Sequence, residues 1–174
     1  MKKLILLIAA LAVLAPAALA AEGGSQGTSP AQACRTELST IGAAAFKSLY
    51  APTGNNAMGK CVSKHQQSAA ANRENAAKTC KAEQEQSADT FKAAHGGLTF
   101  GEVYGKNEND KNAYGKCVSS KASKADAQQE AALLKAAKTC KTERAADRTA
   151  FTATYGGKAS SAFGKCVSAK SKAK

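Results

Sequence analysis

The pentapeptide Gly59-Lys60-Cys61-Val62-Ser63 occurs three times in this chain of 174 residues. Identical copies stand at positions 115–119 and 164–168, and each copy follows an alanine and a large apolar residue. Self-similarity of this kind decides the architecture before any local pattern does, because chance does not produce the same five residues three times. The sequence therefore predicts three tandem units.

The start of each unit repeats as well. Cys34-Arg35-Thr36-Glu37 matches Cys-Lys-Ala-Glu at 80–83 and Cys-Lys-Thr-Glu at 140–143. Every unit thus holds one cysteine near each end and a glutamate three residues after the first cysteine. We expect these glutamates to pair with nearby lysine or arginine side chains rather than to act as catalytic acids or bases.

Between its two cysteines, each unit carries a phenylalanine followed four residues later by a second ring. These rings are Phe46 and Tyr50 in the first unit, and Phe151 and Tyr155 in the third. The middle unit is about ten residues longer and offers two candidate pairs, which are Phe91/His95 and Phe100/Tyr104. The sequence alone leaves both pairs open. We expect the rings to form the small core of each unit.

The repeats and the segments between them divide the chain into eight parts. The expected parts are a signal peptide (1–20), a flexible leader (21–30), the first unit (31–63), a helical linker (64–76), the middle unit (77–119, with an insertion near 96–112), a second helical linker (120–136), the third unit (137–168) and a basic tail (169–174).

The unit, with its Cys-x-x-Glu start, its Phe-x-x-x-Tyr-Gly centre and its Gly-Lys-Cys-Val-Ser end, resembles a repeat of small, uncharacterised secreted bacterial proteins of actinobacterial type. The resemblance covers nearly all of residues 33–168 and implies export and repetition, but it implies no activity. The chain departs from that pattern at Met58 and in the middle unit, either at His95 or through the insertion.

The composition predicts an all-α fold. No proline follows Pro52, and both linkers are rich in Ala, Gln, Lys, Asn and Glu, which favour helices. Apolar residues in the first unit recur every three or four positions, as on one face of a helix. The chain must nevertheless bend within each unit if the two cysteines are to meet. We expect Gly42 to relax the first unit, and Asp89 and Asp147 to cap new short helices in the other two.

Six cysteines without a close pair predict disulfides. Of the 15 possible connectivities, two respect the repeat. One scheme joins neighbouring units through the bonds Cys61–Cys80 and Cys117–Cys140, and it leaves Cys34 to pair with Cys166. A helical linker would hold Cys61 and Cys80 about 28 Å apart, whereas a disulfide needs Cα atoms within about 7 Å. We therefore predict pairing within units, which gives the bonds Cys34–Cys61, Cys80–Cys117 and Cys140–Cys166.

The N-terminus predicts export. Lys2 and Lys3 precede an uncharged apolar run, and Ala18-Leu19-Ala20 supplies the small residues of a signal-peptidase site. The run is shorter than the roughly 20 residues that a membrane span needs. We expect cleavage near Ala20 and a secreted or extracytoplasmic protein, whose oxidising surroundings suit six paired cysteines.

The charge is positive and concentrated near the C-terminus. Formal net charge is +12, and residues 124–174 hold 11 Lys or Arg against 4 Asp or Glu. This bias suits anionic partners, which could be an envelope polymer or a lipid surface, with nucleic acid less favoured and another protein also open. The candidate contacts for an anionic partner are Lys158, Lys165, Lys170, Lys172 and Lys174.

No motif in the chain predicts an enzyme, a cofactor or a small-molecule substrate. Hydrolase, zincin, P-loop and dinucleotide-binding motifs are all missing from the sequence. The cysteines lack the close spacing of zinc sites, neither histidine is expected beside a cysteine, and His65 is expected to be solvated. The chain is thus predicted to be an exported, non-enzymatic repeat protein with a structural or interaction role, or alternatively a cationic effector that binds an anionic polymer, a membrane or nucleic acid.

Overall fold

The computed structural model describes residues 28–156 and 158–172, and within them it is all-helical without a strand, as predicted. The predicted signal peptide, most of the leader and Lys174 lie outside these residues. The helices of the described part are α1 (Pro30–Ile41), α2 (Ala43–Tyr50), α3 (Ala57–Gln84), α4 (Ala88–Ala94), α5 (Phe100–Tyr104), α6 (Ala113–Ala146), α7 (Arg148–Tyr155) and α8 (Ala159–Lys172).

Two long helices, α3 and α6, form the frame of the molecule. They have 28 and 34 residues and pack against each other. Asn72 Nδ2 donates to Asp126 Oδ1 at 2.7 Å, while Gln129 Nε2 donates to Ser68 Oγ at 3.2 Å. Because positions earlier in α3 meet positions later in α6, the two helices run antiparallel. Residues 64–76 and 120–136 are continuous parts of these helices, which confirms the expectation of helical linkers.

The three predicted disulfides are all present. They join Cys34 to Cys61, Cys80 to Cys117 and Cys140 to Cys166, each with a Cα–Cα distance of 6.0 Å. Each bond ties the helix that begins a unit to the helix that ends it. All six cysteines are fully buried.

The bends that bring the cysteines together lie close to where they are expected. Gly42, at φ 84°, separates α1 from α2 with a backbone conformation that glycine adopts without strain. Asp147 caps α7 by accepting a hydrogen bond from the Ala150 amide at 2.9 Å. The expectation for Asp89 is wrong, because Ser87 caps α4 through the Thr90 amide and Asp89 lies in the first turn of that helix.

The first and third units share one core, although the middle unit separates them in sequence. Helices α2 and α8 are in contact, and so are α1 and α6. The shared core consists of Cys34, Ile41, Ala45, Phe46, Tyr50, Cys61, Ala136, Ala137, Cys140, Phe151, Ala162, Phe163, Cys166 and Val167. The middle unit contributes no residue to this cluster, because it is built around the other ends of α3 and α6.

None of the helices in the described part of the chain combines the length and the apolar character that crossing a bilayer requires.

Removing the middle disulfide should open the middle unit selectively. With both Cys80 and Cys117 replaced by alanine, we expect a loss of about 4 kcal/mol, because that bond closes a loop of 37 residues. Hydrogen exchange should accelerate mainly within residues 85–112, which lie outside the shared core. Mass-spectrometric exchange together with circular dichroism measures both effects.

The matched control replaces Cys140 and Cys166 by alanine. This bond lies inside the shared core, so its loss should accelerate exchange in the first unit as well as in the third. Unchanged exchange across residues 85–112 in the first variant would contradict the role given to the middle bond.

Candidate functional site

A glutamate lies against the disulfide in each of the three units. Helical geometry places the residue three positions after the first cysteine on the same face as that cysteine. The carboxylate oxygens of Glu37, Glu83 and Glu143 are 3.8, 4.0 and 3.9 Å from the sulfur of the second cysteine of their units. A disulfide sulfur carries no proton, so these are packing contacts and the carboxylates need donors elsewhere.

A tyrosine supplies the first donor in every unit. The hydroxyl groups of Tyr50, Tyr104 and Tyr155 donate to these glutamates, the latter two at 2.8 and 3.1 Å. Each tyrosine also packs against the phenylalanine four residues before it, with ring centroids 4.9 Å apart in all three units. The ring pair of the middle unit that is equivalent to Phe46/Tyr50 and Phe151/Tyr155 is therefore Phe100/Tyr104 and not Phe91/His95.

A basic side chain supplies the second donor, and it is always the fourth residue after the second cysteine. In the middle and third units, Lys121 and Lys170 place their ammonium groups 2.9 Å from Glu83 and Glu143. In the first unit, His65 Nε2 lies 2.6 Å from Glu37 Oε1. We call this set of glutamate, tyrosine and basic residue the carboxylate cluster of its unit. The expected pairing with lysine or arginine is therefore confirmed for Glu83 and Glu143 and is wrong for Glu37, whose basic partner is a histidine.

The charges in the middle cluster favour the ion pair. Burial alone would raise the pKa of Glu83, but hydrogen bonds from Lys121 and Tyr104 outweigh burial and lower it. The pKa of Lys121 is raised, chiefly by its hydrogen bond to Glu83. In the third unit, the hydrogen bond to Glu143 likewise raises the pKa of Lys170. Both pairs are ionised near neutral pH.

The first cluster differs because it is buried and contains a histidine. Glu37 is fully buried, and only 18% of the His65 side chain is exposed. The hydrogen bond to Glu37 raises the pKa of His65 despite desolvation, while burial and the Glu37 carboxylate raise the pKa of Tyr50. The prediction that His65 is solvated is wrong, because its imidazole holds the buried carboxylate.

A polar cleft of about 410 Å³ opens beside the first cluster, between α1, α3 and α6. His65 forms part of its wall, so the buried cluster has a route to the surface. The polar residues around it include Ser68, Ser120, Lys124, Asp126, Gln129 and Glu130. The negative charge of Glu130 contributes to the raised pKa of His65.

Matching Phe100/Tyr104 to the other ring pairs places most of the extra length of the middle unit before Phe100 and not near 96–112, because Phe100 follows Cys80 by 20 residues, against 12 and 11 in the other units. This inserted segment carries the other histidine. The ring of His95 stacks on that of Phe91 at a centroid distance of 3.9 Å, and its Nδ1 lies 2.9 Å from the Phe91 carbonyl oxygen. Phe91 also contacts Phe100. The insertion thus adds a short helix, α4, and an extra aromatic pair to the unit's own Phe100/Tyr104 pair.

The predicted contacts for an anionic partner fall into two groups. Lys158, Lys165 and Lys172 are exposed, and the Lys165 ammonium lies 3.5 Å from the Gly156 carbonyl oxygen. Lys170 instead belongs to the third carboxylate cluster, so part of its charge is already neutralised. Sequence reasoning missed three further exposed lysines on α6, at positions 135, 138 and 141.

The spatial relation between His65 and the first disulfide was also missed. The prediction that neither histidine lies beside a cysteine is wrong, because His65 follows Cys61 by one helical turn. The ligand atoms of Cys34, Cys61 and His65 all lie within 4.8 Å of one another. The four-residue spacing of Cys61 and His65 on a predicted helix was the signal that could have revealed this grouping.

Comparisons of the chain with protein-family models, with curated proteins and with solved structures found no match in any of the three.

The buried glutamate should contribute far more stability than its exposed counterpart. Glu37→Ala leaves the Tyr50 hydroxyl and the His65 imidazole without their acceptor in a buried site, so we expect a loss of about 3–5 kcal/mol. Glu143→Ala, the same change at a partly exposed cluster, should cost much less because water replaces the lost partner. Urea unfolding at pH 6.5 measures both variants, and equal losses would contradict the assignment.

His65 should make the stability of the first unit depend on pH. Its pKa is raised in the folded state, so its contribution is complete below about pH 6.5, the value of a free histidine, and is lost as pH rises through the folded pKa. His65→Lys places in the first cluster the residue that the other two clusters use, and its charge persists to higher pH. The free energy of unfolding, measured between pH 6 and 9, should therefore fall more in the unmodified protein than in the variant. Parallel profiles would refute this.

Proposed function

We propose that the protein is exported, that it is cleaved near Ala20, and that it acts outside the cytoplasm as a non-enzymatic binding protein built from three repeated units. The signal-like N-terminus and the repeated pentapeptide support this proposal. Three buried disulfides also fit it, since such bonds form and persist in oxidising compartments.

A non-enzymatic role is supported by the repetition of the carboxylate cluster. A catalytic carboxylate has to reach a substrate, whereas each of these glutamates is held by a tyrosine and a basic residue beside a disulfide. In two of the units the basic residue is a lysine whose pKa is raised, which makes it a poor proton donor near neutral pH. The clusters are better suited to joining helices than to turning over a substrate.

We infer that the binding surface is the basic face of the third unit and of the α6 turns that lead into it, and that its partner is an anionic polymer of the cell envelope. The observation that carries this proposal is a set of exposed lysines that form no ion pair within residues 28–156 and 158–172, namely Lys135, Lys138, Lys141, Lys158, Lys165 and Lys172. Two of the acidic residues near them in sequence are already engaged, Glu143 by Lys170 and Asp147 as a helix cap.

The helical framework holds these charges at fixed spacings. Lys138 and Lys141 are one turn apart on α6, and Lys165 and Lys172 are two turns, or about 10 Å, apart on one side of α8. The Cys140–Cys166 bond ties the two helices together. Fixed cations lose little conformational freedom when a polymer carrying regularly spaced anions binds to them.

A polymer fits this surface better than a lipid bilayer does. Proteins that bind membranes through a helix face combine cations with large apolar side chains that enter the lipid. Among the described residues, the exposed large apolar side chains are Leu98 and Tyr114, and both belong to the middle unit. Those two residues support a second candidate function, which is binding of another protein through the middle unit.

The polymer proposal predicts a localised and salt-sensitive interaction. Poly(glycerol phosphate) should bind the full mature chain, and replacing Lys135, Lys138 and Lys141 by glutamine should weaken binding by about tenfold or more at low salt, because fewer counterions are released. The control replaces the exposed lysines Lys81, Lys106 and Lys111, which belong to the middle unit, and should change affinity much less. Isothermal titration at several salt concentrations measures both variants.

Protein for this experiment is recovered from the culture medium, where its intact mass should show a chain that begins at Ala21 and carries three disulfides. Neutral and anionic vesicles, duplex DNA and an uncharged polysaccharide form the comparison arms. Equal weakening in both triple variants would place the binding surface elsewhere, and stronger binding to vesicles than to the polymer would assign the face to lipid. Retention of the uncleaved chain in the cytoplasm would refute export.

A further inference from the structure

The first disulfide and His65 form a candidate ligand set for a metal ion, and among the described residues the other two units have no counterpart to it. Cys34 comes from α1, while Cys61 and His65 lie one turn apart on the same face of α3. The three ligand atoms are mutually within 4.8 Å. In the middle and third units the position of His65 holds Lys121 and Lys170, and a protonated lysine cannot ligate a metal.

The chemistry of this set matches zinc once the disulfide is opened. Zinc in proteins is four-coordinate with bonds of about 2.0–2.3 Å to nitrogen and sulfur, which places its ligand atoms about 3.5–3.8 Å apart. The sulfurs of Cys34 and Cys61 are 2.05 Å apart in the disulfide and must separate by about 1.7 Å once the bond is cleaved. The ligand nitrogen of His65 lies within 4.8 Å of both sulfurs, so it is already close enough to complete the set after a small movement. Thiolate and imidazole ligands favour zinc over the harder magnesium and calcium ions.

We propose that the reduced form of the first unit is a zinc site, with Cys34, Cys61 and His65 as ligands and the fourth position open to water. A protein dithiol donates two electrons to the Cys34–Cys61 bond, which yields two thiols here and a disulfide in the dithiol. Zinc then replaces the two thiol protons, which pass to solvent. The site is therefore present in the reduced chain and absent in the oxidised one.

Two further features of the first unit fit this assignment. The Glu37 carboxylate, 2.6 Å from the imidazole, orients the His65 ring, as carboxylates commonly do for histidine ligands of zinc. The polar cleft has His65 in its wall, so an ion in the cleft can reach the imidazole of the proposed ligand set, while both sulfurs are fully buried behind it. Neither feature depends on the basic surface of the third unit, so the zinc site and the polymer-binding proposal stand or fall separately.

Metal titration of the full mature chain tests the proposal. After reduction with a phosphine and removal of the excess, zinc and its spectroscopic substitute cobalt(II) are titrated against a competing chelator. We expect one tight equivalent per reduced chain, with the absorption of tetrahedral cobalt bound to thiolate, and none for the oxidised chain. His65→Lys should weaken binding by at least about tenfold, while Lys170→His should create a second equivalent at the third unit.

Circular dichroism of the same samples separates binding at the folded site from binding to an unfolded chain. If reduction loosens the first unit, zinc should restore its helicity in the unmodified protein but not in His65→Lys. The proposal is overturned if His65→Lys binds as tightly as the unmodified protein, if reduced protein binds no tight equivalent, or if zinc fails to restore helicity lost on reduction.

Discussion

The sulfur–sulfur bond that joins the first and last helices of each unit is the constraint on which the rest of the structure depends. The apolar interior is thin, because much of it is alanine, which buries little area per residue. Closing loops of 26 to 37 residues removes conformational freedom from the unfolded chain and adds stability that such a core does not supply. The long helices α3 and α6 are continuous from one unit to the next, so they fix the position of each disulfide relative to the others.

The carboxylate clusters show how polar groups are accommodated beside these bonds. A buried carboxylate is costly unless it is paired and hydrogen-bonded, and each glutamate meets both conditions with a tyrosine and a basic residue. The same three positions are used three times, but the surroundings differ. The middle and third clusters lie at the surface and use lysine, whereas the first is enclosed by α1, α2 and α3 and uses histidine. One substitution within a repeated pattern thus turns a permanent ion pair into a titratable one.

The packing of the first unit against the third gives the molecule two ends of different character. One end holds the shared core, the titratable cluster, the polar cleft and the exposed lysines of α6 and α8. The other end holds the middle unit, with its insertion, its stacked Phe91 and His95 rings and the exposed Leu98 and Tyr114. The functions proposed for the anionic polymer and for zinc both lie at the first end, and they use different residues there.

The sequence by itself determined the features that depend on local pattern and on cysteine chemistry. The helical class, the continuous linkers, the three disulfide pairings, the bend at Gly42 and the cap at Asp147 all follow from composition, helical spacing and the reach of a disulfide. Only the tertiary structure decided which rings form the middle pair, that the first and third units share a core, and that Glu37 and His65 are buried together. These outcomes depend on contacts between residues far apart in the chain. The spacing of apolar residues predicts which face of a helix is buried, but it does not predict which other helix packs against that face.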